Sequence, residues 1–314
     1  MSDSVTVRVP AKINLVLAVG PLRQDGFHEL VTVYQALSLA DEVTIRSADR
    51  PEMRVFGEGA RSIPVDGDNL AWRAAAALAR HQGWRGREHE LHIVLRKRIP
   101  VAGGMAGGSA DAAGTLLALA ELWETGLDRA TLSKIAADLG SDVPFTLHGG
   151  TAIGTGRGER LLAIDAPARF HWAIALSDGG LATPAVYSRL DDLRAAGATP
   201  SARSHQEVLD ALHSGSPAAL ASVLRNDLQI AALSLRPELQ ATLDSGLRAG
   251  ALAGIVSGSG PTCVFLCQDQ PQANEVASRL RRSGACRDTL VAHGPVPGAT
   301  ALPTTSSLLR EVAR

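Results

Sequence analysis

Aromatic side chains are scarce in this sequence, at 4% of 314 residues, with only two tyrosines among them. The core must therefore be built from Ala, Val, Leu and Ile, and each aromatic has a position to account for. Cysteine is scarcer still. Cys263, Cys267 and Cys286 are odd in number, which excludes a disulfide framework and fits a reducing compartment. Cys263 and Cys267 lie in one apolar run with no His pattern nearby, so they read as core rather than as zinc ligands. Neither sign of charge is in excess: 31 basic residues face 32 acidic ones, for a net charge of −1. That leaves no electrostatic footprint for nucleic acid. No stretch approaches the ~18 apolar residues of a membrane helix. The opening MSDSVTVRVP lacks the charged-then-apolar profile of a signal peptide. The expectation is a cytoplasmic protein with no nucleic-acid partner and no membrane contact. What is present is ample apolar material, 45% of residues, and a length that suits two domains.

Along the chain, Val5, Val7, Val9, Ala11, Ile13, Leu15 and Leu17 alternate with Thr6, Arg8, Lys12 and Asn14. This is the period of a half-buried strand, with Pro10 marking an edge or a bulge. Residues 29–46 read as extended. Asp68-Asn69 offers a cap for an Ala-rich helix over 70–80. A strand at 91–95 leads into a glycine-rich segment, and helical spacing resumes from 111 to 123 and from 129 to 139. Pro144 suits the first position of the next helix. GTGRGE at 154–159 reads as a hairpin. After 165–167 the pattern restarts with a strand at 172–176 and helical stretches near 184–195, 204–213 and 217–225. A helix at 237–247, Gly254-Ile255-Val256 leading into SGSGPT, a strand at 263–267, a helix at 272–283 and a strand at 288–292 complete it. Mixed strands and helices in both halves predict two α+β domains, over 1–166 and 167–295, with 296–314 a loosely held tail.

The segment Pro100-Val101-Ala102-Gly103-Gly104-Met105-Ala106-Gly107-Gly108-Ser109 carries the most chemistry. Its glycines let backbone amides approach an anion, and the helix that follows adds its N-terminal N–H groups. Ser109 supplies a hydroxyl for a phosphate oxygen or a magnesium ion. A flexible linker is the plainer reading, but a strand before the loop and an amphipathic helix directly after it favour phosphate binding. The segment lacks the Gly-Lys-Ser/Thr of one common nucleotide loop and the Gly-x-Gly-x-x-Gly of another. SGSGPT at 257–262 is either a turn or a point of close backbone approach.

Phosphoryl transfer to an alcohol needs an aligned hydroxyl, a proton acceptor and positive charge on the phosphates. Asp142 is a candidate acceptor, or simply the cap of the helix it precedes. Lys12 is a candidate cation, or a solvated side chain; Asn14 points the same way. Phe27-His28 could stack on and hydrogen-bond a base, or pack a loop onto the core. Tyr187, just after Thr183-Pro184, is either core or ligand.

Taken together, PAKINL at 10–15, PVAGGMAGGSADAA at 100–113 and SGSGPTCVF at 257–265 resemble the three signature motifs of the GHMP kinases, in order. DGFHEL at 25–30, DNLAWRAA at 68–75 and GSDVPF at 140–145 resemble, within that family, the members that phosphorylate a cytidine-diphosphate-linked erythritol in the non-mevalonate route to isoprenoids. The likeness spans residues 5 to about 292. It implies an N-terminal domain like domain 2 of ribosomal protein S5, a ferredoxin-like C-terminal domain, and an active site in the cleft between them. It implies ATP and Mg2+ as cofactors, a small-molecule substrate, and a monomer or weak homodimer. Asp142 then matches the family's catalytic base and Lys12 the lysine beside it. Residues 100–109 match the triphosphate loop, with Ser109 near the metal. Asn69 and Lys97 match positions near the adenine. Asn14, His28 and Thr183 match substrate positions, and Phe27 and Tyr187 match two aromatics around the cytosine. Phe27 and Tyr187 exchange the usual order of Tyr and Phe, which keeps two flat rings. Met105-Ala106 replace a usual Leu-Gly pair. Rival readings are another kinase of the family, a non-catalytic nucleotide sensor, and an RNA-binding module; the last is disfavoured by net charge.

Overall fold

The computed structural model describes residues 4–198 and 206–303. Two long strands organise the N-terminal half. β1 (Ser4–Leu22) and β2 (His28–Ser47) pair antiparallel over almost their full length, joined by a short loop. β3 (Glu52–Gly57), α1 (Leu70–His81), β4 (Leu91–Lys97), α2 (Gly107–Leu122), α3 (Arg129–Leu139), α4 (Val143–His148), β5 (Thr151–Gly156) and β6 (Arg160–Ile164) follow. β2 bonds β4 along residues 42–47 and β5 along residues 30–35, so it is the spine of this sheet. α2 lies against β1 and β2 and is buried on every side from Ala110 to Ala120, so the amphipathic helix expected after the loop is corrected to a buried one.

The C-terminal half comprises β7 (Phe170–Leu176), α5 (Thr183–Ala195), α6 (Gln206–Ser214), α7 (Pro217–Ala221), β8 (Arg225–Asn226), α8 (Gln229–Leu235) and α9 (Glu238–Arg248). β9 (Ala253–Val256), β10 (Cys263–Cys267), α10 (Gln270–Ser283), β11 (Asp288–Gly294) and β12 (Thr300–Ala301) complete it. Its four strands run β11-β7-β10-β9, all antiparallel, with α9 and α10 on one face. That order is the ferredoxin-like arrangement. Along β7 the period of two divides the burial: Ala173 and Ala175 face the two helices, whereas Trp172, Ile174 and Leu176 join the large core shared with the first half. The Trp172 indole N–H donates to Gln35 Oε1 at 3.1 Å. The two halves are thus welded by one apolar cluster.

Several elements differ from the sequence reading. The Thr6/Arg8/Lys12/Asn14 face of β1 is not uniformly solvated: Lys12 and Asn14 are 4% and 2% exposed, because the 257–260 segment of the other half covers them. Pro10 sits at a break in the β1–β2 register, the bulge its ring demands. Pro144 is the second residue of α4, not the first. The helix read over 217–225 stops at Ala221. Arg225 and Asn226 instead form β8 and pair parallel with Val16 and Leu17. Strands β3 and β12 and helix α8 carried no signal strong enough to read. The expected loose tail is corrected for residues 296–303. β12 pairs with β1, the Arg129 guanidinium donates to the Ala299 carbonyl at 2.7 Å, and Ala299 is fully buried. The rest of that tail, and the start of the helix read at 204–213, lie outside the described residues.

Candidate active site

A cleft of about 850 Å³ opens where β1 and β2, the glycine-rich loop, the start of α4, α5 and the 257–260 segment meet. Its floor is polar. The Lys12 ammonium lies 2.9 Å from Asn14 Oδ1 and 3.4 Å from Asp142 Oδ2. Asn14 in turn donates to Thr32 Oγ1 at 2.8 Å, and that hydroxyl donates to the Val16 carbonyl. Asp142 stands at the cap position of α4, yet its side chain makes no cap bond. Its other oxygen accepts from the Tyr34 hydroxyl at 3.1 Å. The helix-cap reading of Asp142 is therefore not met: its carboxylate bonds to Tyr34 and Lys12 instead. The Asp142 side chain remains 29% exposed to the cleft.

Tyr34 is the residue that sequence reasoning missed. It sits opposite Asn14 in the β1–β2 register and stacks on Phe145 with ring centres 4.7 Å apart. Burial, then the Asp142 charge, pushes its pKa far up, so it stays a phenol and a donor. The available signal was its rarity, as the only tyrosine besides Tyr187.

The glycine-rich loop forms one wall. Gly104 has φ +75°, and a Cβ there would lie 2.0 Å from the Ser257 carbonyl oxygen. Only glycine permits this approach of the two halves. The Ser257 hydroxyl donates to the Gly104 carbonyl at 3.1 Å, and the Met105 carbonyl accepts from the Lys12 amide at 3.2 Å. The Met105 side chain is buried in the core, and Val101 packs towards Gly59. Pro100, Ala102, Gly103, Gly104, Ala106, Gly107, Gly108 and Ser109 line the cleft, the last three being the first turn of α2. Ala102 and Ala106 hold left-handed backbone at φ 51° and 62°. SGSGPT, read as a turn or close approach, is both, since the Gly260 amide donates to the Ser257 carbonyl at 2.8 Å within it. It lies against Lys12 and Asn14 and is tied to β8 by Asn226, whose amide donates to the Val256 and Gly258 carbonyls at 2.8 and 2.7 Å.

The opposite wall is aromatic. His28 Nε2 lies 2.9 Å from Asp191 Oδ1, and its ring is 5.0 Å from that of Tyr187. Burial, then the Asp142 charge, raises the Tyr187 pKa, so this phenol also keeps its proton. Phe27 is exposed, with the Arg157 guanidinium 4.8 Å above its ring. Thr183 Oγ1 is 3.0 Å from Ser259 Oγ. Besides Val101 and Met105, two more expected residues, Asn69 and Lys97, do not reach the cleft wall. Asn69 caps α1: its Oδ1 accepts from the Ala71 amide and its Nδ2 donates to the Pro64 carbonyl. Lys97 is sealed beneath the loop between Asp41 and Asp111. In both cases, burial has committed the polar groups to internal partners.

A second cavity, also of about 850 Å³, lies on the far side of α1 against α3 and β3. Its lining mixes acids and bases, and none of the candidate residues discussed above lines it. The arrangement of the first cleft suits an anion held by the loop and an alcohol held near Asp142, with a flat ring beside Phe27 and Tyr187.

Comparison with known proteins bears on this arrangement. Residues 69–150 match the model of the GHMP kinases N terminal domain, and residues 208–286 that of the GHMP kinases C terminal domain. The 4-diphosphocytidyl-2-C-methyl-D-erythritol kinase of Mycolicibacterium smegmatis (strain ATCC 700084 / mc(2)155) is 56% identical, over 98% of this chain and 95% of that protein. The protein of the same name from Nocardia farcinica (strain IFM 10152) is 56% identical over 94% of this chain and 95% of its own. A crystal structure of 4-(cytidine 5'-diphospho)-2C-methyl-D-erythritol kinase superposes with a TM-score of 0.73 at 32% identity, covering 91% of this chain and 98% of that one. A homoserine kinase from Cytophaga hutchinsonii superposes at 0.72 with 18% identity, over 96% and 98% of the two chains, a likeness of fold alone.

Proposed function

The chain belongs to the GHMP kinases, and we propose from that premise that it transfers the γ-phosphate of ATP to the C2 hydroxyl of 4-diphosphocytidyl-2-C-methyl-D-erythritol, a step of the non-mevalonate route to isoprenoid precursors. The observation that carries the reading is the placement of Lys12, Asp142 and Tyr34 at the floor of a single cleft. The glycine-rich loop stands on one side of them, and His28, Tyr187 and Phe27 on the other.

The triphosphate lies along residues 103–109 and the first turn of α2, whose N–H groups and dipole favour negative charge. The C2 hydroxyl faces Asp142. Its oxygen bonds to the γ-phosphorus as the bond to the β,γ-bridging oxygen breaks, ADP departs, and the hydroxyl proton passes to Asp142. Tyr34 and Lys12 grip the two oxygens of Asp142 and so aim it. Lys12 also offsets charge gathering on the transferred group. Because such transition states are loose, Asp142 contributes orientation at least as much as basicity. Phe27 and Tyr187 offer flat faces to the cytosine, and His28, held by Asp191, offers a directed hydrogen bond.

Mg2+ fits these surroundings as a companion of the nucleotide. Among the described residues, no group of three or more His, Cys, Asp or Glu side chains could hold a metal. The Ser109 hydroxyl and the Asp142 carboxylate are oxygen donors on the cleft. An ion that prefers phosphate oxygens and retains its waters needs no more. When bound, it neutralises charge on the β- and γ-phosphates. Among the described residues no helix is long and apolar enough to cross a membrane.

The test is coupled ADP release with Mg-ATP and 4-diphosphocytidyl-2-C-methyl-D-erythritol, with homoserine and mevalonate in parallel. Turnover is expected on the cytidyl substrate alone. Asp142→Asn is expected to lower kcat by about a hundredfold or more while leaving ATP affinity similar. Near-wild-type turnover in that variant would remove Asp142 from the chemistry.

A further inference from the structure

The glycine-rich loop is bracketed by buried charges to which the reaction above gives no part. Asp41, on β2, is fully buried. Its Oδ1 accepts the backbone amides of Arg98 at 2.6 Å and Ile99 at 2.9 Å, the two residues before the loop begins. Its Oδ2 accepts from the Lys97 ammonium at 2.5 Å. That same ammonium reaches Asp111 Oδ2 on α2 at 2.5 Å and the carbonyl of Gly107, where the loop ends, at 3.0 Å. One carboxylate therefore fixes the entry of the loop directly and its exit through Lys97.

Stability is a poor reason for such a cluster, since well-packed apolar side chains commonly replace buried ion pairs without loss. Geometry is a better one. Between the two fixed ends, Ala102 and Ala106 hold left-handed backbone. Such backbone is strained in a residue other than glycine and persists only where the surroundings enforce it.

We propose that Asp41 is a positioning residue for nucleotide binding: with Lys97 and Asp111 it clasps both ends of the phosphate loop and holds it in its binding shape before ATP arrives. The proposal rests on the reading of this loop as the ATP site. An unclasped loop samples other shapes, and the apparent dissociation constant rises in inverse proportion to the competent fraction. At saturation, bound nucleotide itself holds the loop, so the chemical step recovers.

Steady-state kinetics of Asp41→Asn with the cytidyl substrate, and calorimetry with ADP, test this. The KM for ATP and the Kd for ADP are expected to rise about tenfold or more, with kcat at saturating ATP and the KM of the alcohol within about threefold. A merely structural residue would lower the active fraction, and hence kcat, with both KM values unmoved; that result overturns the proposal. If Asp41→Asn does not fold, Lys97→Met/Asp111→Asn removes both members of an ion pair, leaves Asp41 on its two amides, and frees the Gly107 carbonyl. It should again raise the KM for ATP, and an unchanged value overturns the proposal. Hydrogen exchange of the nucleotide-free wild type needs no variant. Slow exchange at the Arg98 and Ile99 amides is expected, and exchange as fast as in an open loop overturns the clasp. Calorimetry with ADP separates the outcomes: a protein that binds ADP but ignores the alcohol has the wrong substrate assigned, and the clasp is still read from the binding.

Discussion

Replacing Tyr34 by Phe should cost turnover and little else. The ring is buried and stacked on Phe145 at 4.7 Å, so phenylalanine fills the same space. What disappears is the hydroxyl donating to Asp142 Oδ1 at 3.1 Å. A hydrogen bond to a charged acceptor contributes about 1.5–3 kcal/mol. The Asp142 side chain is 29% exposed, so water can replace the lost donor in part, and the lower end applies. The Lys12 ammonium, at 3.4 Å from Oδ2, still holds the other oxygen. At ~1.4 kcal/mol per tenfold in rate, kcat should fall about tenfold. The KM for ATP should stay within about twofold, because the loop is pinned by other residues. Coupled ADP release at saturating concentrations of both substrates, beside a thermal melt showing an intact fold, makes the measurement. A kcat within about twofold of wild type would refute the reasoning and leave the aiming of Asp142 to Lys12 alone.

Gly104→Ala should be far harsher: the added Cβ meets a backbone carbonyl at 2.0 Å, with φ positive. A loss of about 3 kcal/mol or more is expected in chemical denaturation, together with loss of ADP binding; a mild effect would mean the two halves part easily. Phe27→Ala and Tyr187→Ala should each raise the KM of the cytidyl substrate about tenfold, the worth of one base-stacking contact, while the KM for ATP holds. Equal KM values in variant and wild type would take these rings out of the base site. Asp111→Asn should change how stability depends on pH. Burial pushes Asp111 up to about 7, with Lys97 opposing and Asp41 adding to the rise. Burial works against the Lys97 charge too, but the two carboxylates outweigh it, so the ammonium stays charged and the odd proton resides on Asp111. The folded protein thus binds more protons than the unfolded chain between about pH 4 and 7, and this group's contribution to stability falls as pH rises through that window. The asparagine variant escapes that fall. Its stability relative to wild type should improve by about 2–3 kcal/mol between pH 5 and 8, and a constant difference in denaturant melts would contradict the assignment.

Local signals carried most of the sequence reading. α1 follows Asn69, whose side chain accepts from the Ala71 amide, and α3 spans the residues read from its apolar spacing. The loop was legible because glycine, strand and helix adjoin within a dozen residues. What stayed hidden depends on partners far off in sequence. Tyr34 bonds to Asp142, 108 residues away, and Lys97 to Asp41 across 56. The resemblance puts Lys97 near the adenine, and only the fold reveals two carboxylates already holding it. Asn226 lies in a two-residue strand, too short to have a period, yet it anchors the segment that covers Lys12. Motif likeness supplied the lobes' architecture and the substrate, which no spacing in one chain contains.

The return of β12 to β1 orders events during synthesis. The sheet that carries Lys12 and Asn14 has its edge strand supplied from residues 300–301, and Ala299 fills part of the core beneath it. While a ribosome is still making the second half, the first half can collapse but cannot complete its edge or seal that core. The nascent chain therefore carries an open strand until residues 300–301 have been made, a period in which a chaperone, or a neighbouring nascent chain, can occupy the place reserved for its own later segment.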